Sequence, residues 1–417
     1  MNKPVGKEVA PQDRAFGKRI ADLRKERGLT QQQLAASMSG RTSSWMSQVE
    51  RGIQPVRRLD VLQEFADALG VSTQALDPNA PIHMPQTAPA TLESNDLDGA
   101  RMVISGHPAL DVLLGTDPSD GAVALTDLVG QVEEIWELTH QGKYSEISDM
   151  VTDLIPTLET AVRSVPTADQ PAAYGLLARA YQALAAAFAR QGDSRSSWVA
   201  ADRAITAGEL SGDELLVFAS IYRMVHAFVR LGNRDQAEHV VRAAVDALSS
   251  RTDLSPEGLS VLGSLHLAKA LVHARCSQRT EARAEIEKAR RVAAQLGEDR
   301  NDYNLEFGPT NVAVNAVATA VDLGDAGEAI DLGRTIDASA LSPERRGRLL
   351  MDLGRAHAQR RHIGDAVDCL LRAEALVPEI VRNHQPVRNA IEELTLVAGS
   401  RATDDLLGLA SRTDARQ

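Results

Sequence analysis

Residues 40–52, GRTSSWMSQVERG, decide how the first part of the chain folds. Thr42 is a good N-cap residue and Gly52 is typical of a position just beyond a helix end, so the stretch predicts a short helix over 42–51. Met46 and Val49 lie three positions apart, and we expect both to face a core. The outward positions are then Ser43, Ser44, Ser47 and Gln48. A helix that exposes short polar side chains lets its backbone come close to a large partner.

The sequences on both sides predict further short helices around the same core. The stretch FGKRIADLRKERG (16–28) carries an apolar stripe and ends at a glycine, a common helix stop. The stretch TQQQLAASM (30–38) places Thr30 and Gln33 in the spacing of a capping box, so a new helix starts there. LDVLQEFADALG (59–70) has another apolar side. The expected core residues are Phe16, Ile20, Leu23, Leu59, Leu62, Phe65, Ala66 and Leu69.

These segments resemble the helix-turn-helix domain of Cro/repressor-type (XRE) transcription regulators. The pieces that carry the resemblance are LRKERGLTQQQLA, SSWMSQVERG and LQEFADALGVS, and it extends over residues 13–76. It implies an all-α, five-helix-type DNA-binding domain, preceded by a flexible tail at 1–12. The helix at 30–38 is then expected to lie across the DNA backbone, and the helix at 42–51 to enter the major groove.

The resemblance also assigns candidate DNA contacts. A recognition helix needs short polar residues near its N-terminus, and a glutamine one turn later can bind adenine through two hydrogen bonds. Trp45 departs from the small or polar residue expected there; it contacts a thymine methyl group or a sugar, or packs against the neighbouring helix. The groove-facing candidates are Thr42, Ser43, Ser44, Trp45, Ser47 and Gln48. The phosphate-contact candidates are Gln31, Arg41, Arg57 and Arg58. A solvated, serine-rich helix without a DNA role is the alternative.

Charge is distributed unevenly along the 417 residues. Residues 1–76 hold 12 Lys/Arg and 8 Asp/Glu, a balance of +4, whereas the remaining 33 Lys/Arg and 49 Asp/Glu give residues 77–417 a balance of −16. This pattern indicates that only the first part of the chain meets a polyanion. Apolar residues make up 43% and aromatic residues 3% of the chain. With abundant Ala and Leu, this composition favours closely packed helices over a β-sandwich or barrel.

Cysteine usage and hydropathy exclude other classes. Cys276 and Cys369 are far apart and form no CxxC motif, so neither a disulfide framework nor a zinc site is expected. No apolar run approaches the ~20 residues that span a bilayer. Residues 1–18 lack the apolar centre of a signal peptide. We therefore expect a cytoplasmic protein with no membrane partner.

The second part of the chain contains a linker and an internal repeat. Residues 77–120 are rich in Pro, Ala and polar residues and predict a linker, with a short helix around 110–114.

From 121 to 399, long Ala/Leu-rich helices are joined by similar turns: HQGKYSE, RQGDSRS, RLGNRDQ, ARCSQRT, DLGDAGE and RHIGDAV. The turn centres lie 40 to 50 residues apart, at 142, 192, 232, 277, 324 and 364. Stacked units of this kind predict a right-handed α-solenoid, followed by a tail at 400–417.

The repeats resemble divergent tetratricopeptide (TPR) units, although the Trp-Leu-Gly-Tyr signature is mostly absent. An armadillo-like or HEAT-like solenoid is the structural alternative. A basic helix-turn-helix domain followed by such an array resembles the TPR-containing regulators of the RRNPP type and the XRE–TPR regulators common in actinobacteria. Because RRNPP-type regulators sense short peptides in the concave groove of the array, the resemblance implies a ligand groove here.

The first helix of each unit is expected to line that groove. On 309–323, the polar residues fall at i, i+4, i+8 and i+11, and Asn amides can pair with a peptide backbone. Two neighbouring first helices carry similar polar stripes, and the segment LEFGPTN adds an aromatic side chain. The ligand-binding candidates are Phe307, Asn311, Asn315, Thr319, His266, Lys269, His273, Arg348, Asp352 and Arg355. Ordinary solvated helix faces are the alternative.

Catalytic motifs are not found in the sequence. No HExxH occurs, and no P-loop, GxSxG or GxGxxG lies in a strand–turn–helix setting, so we expect no enzyme, cofactor or metal site. The sequence predicts a homodimeric, DNA-binding transcription regulator that binds an inverted repeat in double-stranded DNA. Its TPR-like domain is expected to dimerise and to sense a peptide, a small molecule or a partner protein. The alternative is a TPR-like docking scaffold with an accessory DNA-binding domain, which a large apolar convex patch would favour.

Overall fold

The computed structural model describes residues 11–38, 41–56, 58–69, 71, 73–76, 97–106 and 124–414. The chain divides into two compact units, residues 1–93 and residues 94–417. In the described ranges the secondary structure is helical, apart from turns and an isolated β-bridge between Arg300 and Phe307. The predicted all-α class is therefore confirmed.

The N-terminal unit contains short helices packed around one small core. Its helices are α1 (Pro11–Glu26), α2 (Gln31–Ala36), α3 (Ser43–Glu50) and α4 (Leu59–Leu69), followed by a 3-10 turn at Thr73–Leu76. Met46 and Val49 of α3 are fully buried, as predicted from their spacing. Glycine is needed at position 17, because an added Cβ would lie 2.3 Å from the Val49 carbonyl oxygen. The close crossing of α1 over α3 fixes which face of α3 stays outside.

Most of the other core predictions for this unit are also confirmed. Ile20, Leu23, Phe65, Ala66 and Leu69 are buried, Phe16 and Leu62 are half-buried, and the side chain of Leu59 lies outside the described set. The capping box at the start of α2 is formed. The Thr30 N–H donates to Gln33 Oε1 at 2.8 Å, and the Gln33 N–H donates to Thr30 Oγ1 at 3.2 Å.

The second unit begins with α5 (Asp98–Ser105) and continues as consecutive helical pairs. The pairs are α6 (Leu125–Gln141) with α7 (Tyr144–Ser164), α8 (Gln170–Arg190) with α9 (Ser194–Ser211), α10 (Glu214–Arg230) with α11 (Arg234–Ser249), α12 (Pro256–Arg275) with α13 (Arg279–Leu296), α14 (Pro309–Asp322) with α15 (Ala326–Gly333), and α16 (Pro343–Gln359) with α17 (Ile363–Leu376). The last helices are α18 (Pro378–Asn383), α19 (Gln385–Ala398) and α20 (Asp404–Arg412). The repeat of helical pairs is as the sequence predicted.

The first helices of these pairs close into a ring. In chain order, α6 contacts α8, α8 contacts α10, α10 contacts α12, α12 contacts α14 and α14 contacts α16; α16 then contacts α6. Glu379 of α18 strengthens the closure, because its carboxylate accepts the backbone N–H groups of Tyr144 at 2.7 Å and Ser145 at 3.2 Å. The concave groove predicted for ligand binding is then the inner face of this ring, and ligand binding there stays a prediction. The inner face of the array is the interior of a closed ring.

Two segments that the sequence placed outside the repeat array are helices packed in its unit. Helix α5 lies within the expected linker 77–120, yet Leu97, Ala100 and Ile104 are buried in the core that it shares with α7. Helix α20 lies within the expected tail 400–417, yet Leu406 and Leu409 are fully buried. Both segments are too short to give a strong helical period, so tertiary packing decides their structure. The short helix expected at 110–114 lies outside the described residues.

The repeat turns agree with the predicted centres at five positions. Gly142, Gly192, Gly232 and Gly324 have left-handed backbone conformations, and Ser277 at the fourth turn has φ 60°. At the last turn this conformation belongs to Arg361, with φ 60°, and the predicted centre at 364 lies inside α17. Among the described helices, none is both long and apolar enough to cross a membrane.

Candidate DNA-binding surface and ring interior

The helix-turn-helix arrangement is held together by Glu50 at the end of α3. Arg24 of α1 donates to both carboxylate oxygens of Glu50, at 2.6 and 3.0 Å, and also to the Leu29 carbonyl at 2.7 Å. Gln31 at the start of α2 donates its amide to the same carboxylate at 2.7 Å. Glu50 thus joins α1, α2 and α3, and the interaction with Glu50 raises the pKa of Arg24 despite burial. Gln31 is only half-buried and its amide has a second N–H, so its predicted phosphate contact stays a prediction.

The N-terminal half of α3 presents the predicted polar surface. Thr42, Ser43 and Ser44 are exposed, and Ser47 and Gln48 are half-buried. Thr42 is also the N-cap, since its hydroxyl oxygen accepts the Trp45 backbone N–H at 3.2 Å. The cap fixes where the exposed turn of α3 begins.

Trp45 packs against the neighbouring helix, which was one of its two expected roles. Its ring stacks on Phe65 of α4 with centroids 5.8 Å apart and an interplanar angle of 20°. The guanidinium carbon of Arg41 lies 4.4 Å from the Trp45 ring centre, and Arg41 Nε is 3.9 Å from a Glu64 carboxylate oxygen. Arg41 is therefore held above the indole at the start of α3. Arg58 is half-buried, and Arg57 lies outside the described residues.

The asparagine stripe of α14 is occupied by bonds within the chain. Asn311 is only 2% exposed, and its amide donates to the Glu306 carbonyl. Asn315 donates to the Asn311 carbonyl at 2.8 Å and to Asn311 Oδ1 at 3.1 Å, and Thr319 is buried. The structure thus gives these residues a local role, which is to hold the loop before α14. The buried Asn311 amide is therefore not available to a peptide, whereas a ligand contact of the half-buried Asn315 stays a prediction.

Four other candidates also serve the fold. Phe307 is fully buried and fills the space above Gly263, where an added Cβ would lie 1.9 Å from the ring. Glu285 of α13 accepts from His266 at 2.6 Å and pairs with Lys269 at 3.1 Å. His273 is bonded to Gln278 in the following turn. Sequence reasoning placed these stripes on the inner face, but His266 and Lys269 face the second helix of their own pair.

The candidates on α16 have a different environment, because they face the interior of the ring. Asp352 is buried and lies 2.8 Å from Arg355, which also pairs with Asp322 of α14 at 3.1 Å. Asp322 is 3.0 Å from Arg275 of α12. Side chains from three inner helices therefore meet in one network. The α16 stripe thus meets Asp322, the last residue of the predicted α14 stripe, in this network.

Several residues of the interior were not predicted. Arg190 of α8 is paired with Glu344, and Arg345 lies 3.2 Å from Glu306 and 3.7 Å from Glu344. Arg223 of α10 donates to the Asn304 carbonyl at 2.8 Å. The remaining unpredicted members are His226 and Arg230 of α10 and His384 at the start of α19; they lie near Arg348 of α16, which the sequence did predict. The signal available in the sequence was the spacing of Arg223, His226 and Arg230, which places them along one helix face.

The electrostatics of the interior are dominated by positive charge. Burial and the charges of Arg348, Arg190 and Arg275 together lower the pKa of Arg230 to about 9, despite the opposite effect of Asp322. Burial and surrounding arginines also hold the pKa values of His226 and His384 well below the usual range, so both are neutral at pH 7. Burial would raise the pKa of Glu344, but Arg190, Arg345 and Arg348 lower it to about 2.

A group that could hold a metal lies on the surface turn between α16 and α17. His357 Nδ1 is 3.4 Å from His362 Nδ1 and 3.8 Å from an Asp365 carboxylate oxygen. The ligand atoms of the three residues lie close enough together to share one cation, but His362 and Asp365 are exposed. Cys276 and Cys369 do not form a disulfide bond.

The comparisons with known proteins agree with the N-terminal geometry. Residues 15–78 match the model of a helix-turn-helix domain family. The crystal structure of Bacillus thuringiensis PlcR in complex with the peptide PapR7 and DNA is similar at 14% sequence identity and a TM-score of 0.33, over 89% of this chain and 96% of that chain. No curated protein matches the sequence. The first unit contains a helix-turn-helix domain, and an array of helical pairs follows it in the chain.

Proposed function

We propose that this chain is a sequence-specific DNA-binding transcription regulator that reads bases through α3. The observation that carries the proposal is the division of α3 into two faces: Met46 and Val49 are fully buried, while Thr42, Ser43 and Ser44 are exposed. Short polar side chains allow a helix to enter the major groove closely, and a glutamine can specify adenine. The balance of +4 in residues 1–76 supports attraction to phosphates.

The test is a sequence-selection assay with the full chain. Gln48→Ala is expected to cost about 1–3 kcal/mol against the selected operator and to relax base preference at one position. Gln63→Ala is the matched control, because Gln63 is a glutamine on α4 whose exposed amide bonds Asp67 at 2.9 Å. An unchanged operator preference in Gln48→Ala would contradict the assignment of α3.

The arginine candidates give a second readout in the same assay. Arg58→Ala is expected to weaken binding to all sequences by similar factors and to reduce the dependence of affinity on salt, because a phosphate contact carries no base information. Loss of base preference in Arg58→Ala without a change in the salt dependence would contradict its role as a phosphate contact.

A homodimer on an inverted repeat is the second part of the proposal. One small helix-turn-helix domain makes few base contacts, and symmetric sites ~10–10.5 bp apart, or a multiple of that, double them. Exposed Leu396 and Val397 of α19 and Leu407 of α20 support the array as the dimerisation element, because these two helices contact each other. Light scattering should show a dimer for the full chain and a monomer for Leu396→Glu combined with Leu407→Glu. A dimeric double variant would exclude this surface.

We infer that the array is also the sensor. A ligand changes DNA affinity only when it binds the active and inactive forms differently. The contact between α16 and α6 that closes the ring gives two such forms, one with this contact made and one with it broken. A coupling of about 1–3 kcal/mol would change operator affinity ~5–150-fold. The ring interior, and not the asparagine stripe, supports this role. Operator titrations with and without a host extract test it: an array variant at Arg348 should lose the response and keep ligand-free operator affinity.

A further inference from the structure

The interior of the ring contains more cations than its own carboxylates can balance. Seven arginines from α8, α10, α12 and α16 face four carboxylates. The arginines are Arg190, Arg223, Arg230, Arg275, Arg345, Arg348 and Arg355, and the carboxylates are Glu306, Asp322, Glu344 and Asp352. The chain as a whole has a net charge of −12. A local excess of positive charge inside an acidic protein is not a by-product of composition.

Two of the seven arginines have neither an ion-pair carboxylate nor another partner of this kind among the described residues. Arg190, Arg275, Arg345 and Arg355 each lie within ion-pair distance of a carboxylate. Arg223 donates to a backbone carbonyl and lies over the rings of Trp136 and Tyr222. For Arg230 and Arg348, no carboxylate of the described residues lies within ion-pair distance. These two arginines come from opposite sides of the interior, α10 and α16, and each is half-buried and reachable from solvent.

Unsatisfied polar atoms surround the same two arginines. Arg348 Nη1, His226 Nε2 and His384 Nδ1 are buried and have no hydrogen-bond partner within the described structure. His384 is only 6% exposed. Besides burial, the charges of Arg190, Arg230, Arg223 and Arg348 lower the pKa of His226, and those of Arg348, Arg355, Arg230 and Arg275 lower the pKa of His384. A buried polar atom without a hydrogen-bond partner is unfavourable, so these groups favour a bound partner that supplies the hydrogen bonds.

We propose that the ring interior binds a compact oxyanion with two or more negative charges, held between Arg230 and Arg348 with His226 and His384 beside it. Carboxylate and phosphate groups share the required chemistry, because the guanidinium fork donates two parallel hydrogen bonds to either. The anion supplies the missing acceptors and connects α10 with α16, whose contact to α6 closes the ring. This inference rests on the proposed sensing role of the array and names the class of ligand.

The experiment measures anion binding to the full chain without DNA. Sodium pyrophosphate and sodium citrate are titrated by calorimetry at constant ionic strength, with sodium chloride as the reference. Saturable binding of pyrophosphate alone points to a phosphorylated ligand, and binding of citrate alone points to a carboxylate ligand such as a peptide terminus. Absence of saturable binding for both anions would overturn the proposal.

Two single variants and one control locate the site. Arg230→Gln and Arg348→Gln are each expected to weaken binding roughly tenfold or more, since each removes a charge-assisted hydrogen bond. Arg372→Gln is the control, because Arg372 is an exposed arginine of α17 that pairs with Asp368 on the surface. Equal affinities in all three variants would place the anion elsewhere and overturn the assignment.

Thermal unfolding separates a ligand site from a structural role. Because Arg348 lies among like charges and its Nη1 is unsatisfied, Arg348→Gln is expected to raise the melting temperature of the anion-free protein and to abolish the stabilisation by the anion. A lower melting temperature in Arg348→Gln, with the anion effect retained, would show that Arg348 serves the fold. Operator selection by α3 is independent of these readouts, so its failure would leave anion binding intact.

Discussion

The helix-turn-helix unit and the helical ring place their polar groups in opposite locations. In the first unit the interior ion pair of Arg24 and Glu50 is matched, and the polar residues without an internal role lie outside on α3. In the ring the apolar residues lie between helices, and Arg230 and Arg348 remain in the interior without an ion-pair carboxylate among the described residues. Unused polar groups on a surface suit a macromolecule such as DNA, whereas unused cations in an interior suit a small anion.

The largest effect is expected for substitution of Phe307, which the sequence placed in a ligand groove but which the structure buries in the ring. Because this ring is fully buried above Gly263, Phe307→Ala is expected to destabilise the array by about 4 kcal/mol. Urea unfolding followed by circular dichroism measures the effect. Phe228→Ala, at a half-buried position of α10, should cost less. A stable Phe307→Ala protein with altered ligand response would return Phe307 to the binding site.

The next largest loss of stability is expected when the buried ion pair between Arg24 and Glu50 in the first unit is removed. Glu50→Ala leaves Arg24 buried without its carboxylate and frees the Gln31 amide, so the N-terminal unit should lose about 3 kcal/mol of stability. The matched control is Asp67→Ala at an exposed position of α4, which should change stability by less than about 0.5 kcal/mol. Hydrogen exchange of α1 and α3 distinguishes the two variants. Equal protection in both would show that the Glu50 bonds do not hold the unit together.

The neutral histidines of the ring predict a pH dependence that the first unit lacks. The pKa values of His226 and His384 are lowered in the folded state, so the unfolded chain binds more protons once the pH falls below about 6.5. The folded state therefore has its full stability above that pH and becomes less stable as the pH falls. The melting temperature of the array should drop between pH 8 and pH 5.5, and less in His226→Gln. An identical drop in that variant would exclude His226.

The smallest expected effect tests the asparagine stripe. Asn315→Ala removes two hydrogen bonds to Asn311 at a half-buried position, and the expected cost is about 1 kcal/mol of array stability. Pyrophosphate or citrate binding should remain within a factor of about two, because Asn315 makes its bonds within α14. Calorimetry on the variant decides the matter. A large loss of anion binding would show that the stripe belongs to the site.

The sequence predicted those features that depend on local patterns. Helix α3, its cap at Thr42 and its buried Met46 and Val49 follow from spacing of three and from cap chemistry, so the structure agrees with them. The repeated turns follow from glycine-centred segments, and five of the six centres are confirmed. The prediction of the final turn was wrong because it relied on Gly364. The left-handed conformation belongs to Arg361, a residue type that does not usually mark such a turn.

Tertiary structure alone decided where the inner polar residues point. A helix period tells which residues share a face, but not whether that face meets the second helix of its own pair, as His266 and Lys269 do, or the ring interior, as Arg348 and Arg355 do. Closure depends on small inter-repeat angles that add along the array, and on contacts such as Glu379 with Tyr144, which lie 235 residues apart in sequence. No local sequence pattern determines the sum of these angles. The proposed anion site therefore depends on closure of the ring, which brings arginines from separate helices together.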